Sequence, residues 1–215
     1  MSDSTIEGYF REGWECLAGE DYVGAIKVVA SHLKSDDQAR RTEASKIAGL
    51  AYFSLGEYPK ALKHLALVAE GSSDAGDWFN VLTSATMAGE IERGERAMAM
   101  AIKCQTDSGY TQQPSIPFIR LYYTHALCDV EEFERAFLQL QELAALYSSL
   151  GITDTHFLYT RGIPFLSNTM IAAARVFKGL GNAFDSAGWL ERFAETLDVE
   201  GRVFVAEVRS ELESL

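Results

Sequence analysis

Residues 45–70, SKIAGLAYFSLGEYPKALKHLALVAE, carry two helical periodicities on either side of one glycine. Ile47, Leu50, Ala51 and then Ser54/Leu55 recur at steps of three and four, the spacing of one helix face. Gly56 follows the last periodic residue, where a left-handed helix cap takes Gly. Pro59 falls in the first turn of a second helix, where its missing N–H costs nothing. Tyr58, Ala61, Leu62, Leu65, Val68 and Ala69 then form an apolar stripe. Neither short helix can hide its apolar side alone, so the pair must lean on further helices. Gly49 inside the first helix costs roughly 1 kcal/mol against Ala, and close approach of the second helix is the compensation. Ala61 sits where the two helices cross; a larger residue there is expected to overpack the crossing by about 1–3 kcal/mol.

The same grammar recurs along the chain. Hairpins are expected at 5–34, 38–70, 75–104, 116–149 and 165–197, followed by a last helix at 199–214. In the first, Tyr9, Gly13 and Leu17 precede GEDYVGAI, with Asp21 as helix cap. The small residues at the crossings are Ala25, Ala61 and Gly94, spaced by 36 and 33 residues. Ala136 follows 42 residues after Gly94, the excess lying in the loop QTDSGYTQQPS at 105–115. A second irregular connection spans 150–164. The last helix sets Val205, Val208, Leu212 and Leu215 at helical spacing and carries Glu200, Glu207, Glu211 and Glu213 on its other faces. A charged outer face lets a stack of helices end without aggregating.

Gly49, Tyr52, Gly56, Tyr58 and Ala61 give this stretch a pattern that resembles the tetratricopeptide repeat (TPR), a helix–turn–helix unit of about 34 residues. Ser72 and Ser73 stand near the motif's final proline, so the repeats are degenerate. The resemblance implies an all-α fold: a TPR-like α-solenoid of about five helical hairpins plus a C-terminal capping helix, with 1–215 as a single domain. In that family the first helices of successive hairpins line a concave groove that holds a segment of a partner protein. The matching positions here are Phe10, Trp14 and Leu17, then Lys46, Leu50 and Phe53. Phe79, Thr83, Thr86 and Met87 follow in the third copy, and Leu121, His125 and Cys128 in the fourth. Some TPR modules clamp acidic peptide tails with basic residues on these helices. The corresponding places hold Phe10, Trp14, Ile47 and Gly76, with Asn80 nearby, so that clamp is not expected. An apolar or amphipathic segment suits the lining better.

Composition narrows the partner. The 215 residues carry a net charge of −12, which repels nucleic acid and anionic membrane surfaces and favours a neutral or basic protein. No apolar run approaches the ~20 residues a membrane span requires, and the N-terminus has neither the basic nor the apolar stretch of a signal peptide. Cys16, Cys104 and Cys128 are widely spaced on helix stripes, with no zinc or CxxC spacing, and are expected as small buried thiols in the cytoplasm. His32, His64, His125 and His156 are scattered, with no ligand spacing. GLGNAF at 179–184 follows a helix rather than a strand, so a helix-ending turn accounts for it better than a phosphate loop. SHLK at 31–34 lacks companion motifs, and EEFE at 131–134 suits a helix N-terminus. The expectation is therefore no catalytic residue, no metal and no cofactor. The leading reading is a protein–protein interaction module, a scaffold, adaptor or chaperone-like protein. The alternative is a self-associating structural protein, a homodimer through the groove or the end of the stack; an enzyme on a helical scaffold ranks third.

Overall fold

The computed structural model describes residues 3–181 and 184–213, with side chains from residue 10 onward. Among the described residues it contains α-helices and a short 3-10 turn, and no strand. The chain divides into two compact units, Met1–Gln113 and Pro114–Leu215, and the division falls at the loop that breaks the sequence period.

The first unit runs α1 (Asp3–Ala18), α2 (Tyr22–Val29), a 3-10 turn (His32–Lys34), α3 (Gln38–Ser54), α4 (Tyr58–Ala69), α5 (Ala75–Met87) and α6 (Ile91–Asp107). Each odd-numbered helix packs on the helix that follows it; α2 also packs on α3, α4 on α5, and α1 on α3. The second unit runs α7 (Ile116–Asp129), α8 (Phe133–Leu150), α9 (Thr155–Thr160), α10 (Leu166–Leu180), α11 (Ser186–Glu195) and α12 (Val199–Glu213). There α7 packs on α8, α10 packs on both, and α12 lies against α10 and α11.

Aspartates start many of these helices. The side chains of Asp21, Asp37, Asp74, Asp154 and Asp185 each accept from a backbone N–H in the first turn, which satisfies donors that the helix leaves orphaned. The turns between paired helices are built alike. Gly56 and Gly89 have φ of 74° and 79°, and Glu20 and Glu131 take the same left-handed backbone at 61° and 62°. In each turn the next residue donates its N–H five residues back: Asp21 to Cys16, Glu57 to Tyr52, Glu90 to Ala85 and Glu132 to Leu127. The left-handed residue itself donates three back, for example Gly56 to Phe53 at 3.0 Å. These are the two bonds of a Schellman cap, which satisfies the last carbonyls of the first helix.

The crossings follow five residues after each left-handed residue. Ala25, Ala61 and Ala136 are wholly buried, and Gly94 is buried with them. At Gly49, where a Cβ would stand 2.6 Å from Leu65 Cγ, the α3–α4 approach excludes any side chain. The first unit's innermost cluster joins Phe10, Ala25, Val29, Ala44, Ile47, Ala48 and Ala51. In the second unit Phe137, Phe177, Phe184 and Trp189 make a nest of rings, with Phe137 and Phe184 centroids 4.7 Å apart. Tyr147 is buried under α10, where its hydroxyl donates to the Pro164 carbonyl at 2.7 Å and lies 3.0 Å from Thr169 Oγ1; burial pushes the phenol up to about 12. The irregular connection before α9 is fixed to α12: Thr153 N–H donates to Asp198 at 2.8 Å, and the other Asp198 oxygen accepts from Gly201 N–H at 2.9 Å.

Of the expected final stripe, Val205 and Val208 are buried and Leu212 is half-buried, while Leu215 lies outside the described residues. The outer face of α12 is less polar than its glutamates suggest, with Val199 79% and Val203 53% exposed. Within GLGNAF, Gly181 ends α10 with φ 65°, and residues 182–183 lie outside the described residues. Cys104 and Cys128 are buried free thiols, but Cys16 is half-exposed.

Candidate functional site

In the first unit, α3 and α5 each carry a stripe of half-buried residues. On α3 these are Glu43, Lys46, Leu50 and Phe53, at helical steps of three and four. On α5 they are Phe79, Asn80, Thr83 and Met87. All eight are half-buried. The outer stripe of α6, by contrast, is exposed at Glu92, Arg96, Ala99 and Lys103.

Polar links hold these helices in register. Trp14, half-buried on α1, donates its indole N–H to Glu43 Oε1 on α3 at 2.7 Å. Lys46 on α3 meets Asp77 Oδ1 on α5 at 2.8 Å, and Ser72 Oγ donates to the other Asp77 oxygen at 2.8 Å. Burial works to lower the Lys46 pKa, but the hydrogen bond and charge of Asp77, with Asp74 and Glu43, outweigh it and hold the ammonium charged. Lys46 is thus committed to a neighbouring helix. Phe53 packs edge-on against Tyr58, ring centroids 5.4 Å apart, and keeps part of its surface open. Leu17 is half-buried and packs against the innermost cluster of the unit. Phe10 is wholly buried in the innermost cluster, edge-on to His32 at 5.1 Å, and Thr86 is wholly buried too. Those two side chains contribute no open surface in this chain.

In the second unit the uncovered sides of α7 and α10 lie together. His125 Nδ1 is 3.2 Å from Arg175 Nη1, and the other Arg175 terminal nitrogen pairs with Asp129. Burial and the Arg175 charge lower the His125 pKa, against the pull of Asp129, which keeps the imidazole neutral near pH 7. Leu121 and Cys128 are buried, 4% and 7% exposed. Burial raises the Cys128 thiol to about 11, so it is inert at neutral pH. The open residues are one step away from Leu121: Tyr122, 50% exposed, stacks on half-buried Phe118 at 6.4 Å. On α10, Ile171 is 57% exposed, one turn before Arg175. Phe118, Tyr122 and Ile171 are the apolar residues that the family-based reading did not place on a binding surface. For Phe118 and Tyr122 the signal in sequence was the spacing of 118, 122, 125 and 129, one helix face seen end to end.

A polar cavity of about 460 Å³ lies beside the first-unit stripes, bordered by Gln38, Arg41, Thr42, Ser72 and Asp77. An open cleft of about 400 Å³ separates α11 from α12. Among the described residues no group of three or more His, Cys, Asp or Glu side chains is placed to hold a metal ion. No helix among them is long and apolar enough to cross a membrane.

Comparison of the chain with protein-family models, with curated proteins and with solved structures finds no match.

Proposed function

We propose that this is a TPR-like helical repeat protein whose first helices bind an apolar or amphipathic segment of another protein. The observation that carries the reading is the repeated turn: Glu20, Gly56, Gly89 and Glu131 share one left-handed geometry and one pair of cap bonds. A small buried residue follows each at the same distance, at Ala25, Ala61, Gly94 and Ala136. One supersecondary unit used in succession is what a repeat protein is made of. Each unit supplies its own surface: half-buried Trp14, Leu50, Phe53, Phe79 and Met87 in the first, and half-buried Phe118 with exposed Tyr122 and Ile171 in the second. Aromatic and long aliphatic side chains of this kind dominate binding energies when a partner desolvates them. The net charge of −12 favours a neutral or basic segment.

The test is affinity capture from the native host with the full chain, identification of the captured protein, and titration of its purified segment. Leu50→Glu and Phe53→Ala should each weaken the titrated affinity by roughly tenfold or more while the helical circular dichroism is unchanged. Affinity indifferent to both substitutions, and to Tyr122→Ala in the second unit, removes the reading.

A further inference from the structure

The outer face of α12 repeats with a period of seven. Val199, Val203, Ala206 and Ser210 occur at steps of four, three and four, and all of them are exposed. Such spacing is the a/d seam of a coiled coil. The helix uses different positions for its own packing, since Gly201, Val205 and Val208 are the buried ones. Among the described residues the seam is thus left without a partner in a single copy.

Charge borders the seam asymmetrically. Arg202 and Arg209 follow three residues after Val199 and Ala206, which sets them on one edge. Glu200 and Glu207 set the opposite edge. The hydrogen bonds of both arginines within their own chain use Nε: Arg202 donates to the Leu197 carbonyl at 3.0 Å and Arg209 to Glu213 at 2.8 Å, while the Arg202 charge also acts on Asp198. Glu200 and Glu207 make no ion pair among the described residues. On the arginine edge lies the cleft between α11 and α12, bordered by Ala194 with Glu191 and Glu195 on its α11 wall.

We propose that α12 is a homodimer seam, in which it pairs in parallel with α12 of a second copy about a two-fold axis running along the helix. The charges select both the occupant and the direction. An axis along the helix brings the arginine edge of one copy against the glutamate edge of the other, with Arg202 opposite the second copy's residue 207 in the usual offset of five. An axis across the helix brings arginine to arginine and glutamate to glutamate. The seam covers two heptads and its apolar residues are small, so the dimer is weak, with a dissociation constant of about 1–100 µM. This inference stands apart from the partner-binding reading, since none of its residues lies on α1, α3, α5, α7 or α10.

Sedimentation equilibrium of the full chain over roughly 1–500 µM tests it. A concentration-dependent dimer is expected. Val203→Glu should raise the dissociation constant about 100-fold, and Arg202→Glu about tenfold, with unchanged circular dichroism. The double variant Arg202→Glu with Glu207→Arg should restore the dimer. Val199→Cys in a Cys16→Ser background should cross-link to itself under mild oxidation, because a parallel seam sets the two positions side by side. A chain that stays monomeric throughout the range overturns the proposal. So does a dimer that Val203→Glu leaves intact, a double variant no better than Arg202→Glu, or a Val199→Cys chain that does not cross-link.

Discussion

Glu131, in the turn between α7 and α8, has the backbone of Gly56 in the turn between α3 and α4, with φ of 62° and 74°. The left-handed region costs a residue with a Cβ roughly 1–2 kcal/mol, and Gly nothing. The Glu131 side chain is exposed and the turn's bonds are all backbone bonds, so its removal takes nothing from the fold. Glu131→Gly should therefore stabilise the second unit by about 0.5–1 kcal/mol, after the extra freedom that Gly gives the unfolded chain. Glu20→Gly should do the same in the first unit. Urea unfolding checks both, and a loss of stability in either would show that the glutamate side chain supports its turn.

Ser84 presents the opposite situation. It lies inside α5, wholly buried, and its hydroxyl has no hydrogen-bond partner among the described residues. A buried hydroxyl without a partner costs about 1–3 kcal/mol, and Ala is also the better helix former. Ser84→Ala should raise stability by about 1 kcal/mol, read as a higher urea midpoint at unchanged slope.

Asp198 gives the fold a defined acid sensitivity. Burial alone would raise its carboxyl pKa, but hydrogen bonds from Thr153 and Gly201 and the charge of Arg202 hold it below the ordinary aspartate value of 3.8. A carboxyl depressed in the folded state adds stability above its unfolded pKa, and the addition is lost as pH falls through the folded pKa. Asp198→Asn should cost about 1–2 kcal/mol at pH 7, because it weakens the cap of α12 and the anchor of the 150–164 connection. The gap between variant and wild type should close as pH drops below 3.8. A gap that stays constant from pH 7 to pH 3 contradicts the charged-cap account.

Gly49 separates helix propensity from packing. In an open helix Gly→Ala gains roughly 1 kcal/mol. At Gly49 a Cβ would lie 2.6 Å and 2.8 Å from two Leu65 carbons, and Leu65 is itself only 2% exposed. Leu65 has little room to withdraw. Gly49→Ala should therefore destabilise by about 1–3 kcal/mol, the reverse of its propensity. In a double-mutant cycle with Leu65→Ala, which removes both clashing carbons, Gly49→Ala should cost less than it does beside the native leucine.

The helices and their caps were legible because they are local. Asp21, Gly56, Pro59 and Gly89 mark boundaries through their own chemistry, and the structure uses each as its spacing suggests. The glutamates at 20 and 131 were not legible as left-handed residues, since nothing in a Glu side chain announces that backbone. Pairings across hairpins were equally hidden. Lys46 reaches Asp77 and Trp14 reaches Glu43 across 31 and 29 residues of chain, and no local pattern selects those partners. Phe10 is absent from the open surface because α2 and α3 close around it, which depends on how hairpins stack. On α12 the glutamates and the stripe of Val205 and Val208 were visible, but the exposed face carrying Val199 and Val203 was not read from the sequence.

The boundary between core and surface on α7 is the hardest to read, because FIRLYYTHALC is apolar or aromatic at most positions. A one-residue shift exchanges Leu121 for Tyr122. In the structure Leu121 is 4% exposed and Tyr122 is 50% exposed. Leu121→Ala should thus cost about 2–5 kcal/mol, as a truncation inside a packed core does. Tyr122→Ala should stay within roughly 0.5–1 kcal/mol of wild type, since it gives up one exposed ring and its stacking on Phe118. If the interaction surface runs along α7 and α10, the same Tyr122→Ala chain should lose partner affinity while keeping its unfolding midpoint. Equal destabilisation by the two substitutions would mean that α7 is rotated from the orientation described, with His125 and Arg175 no longer in contact.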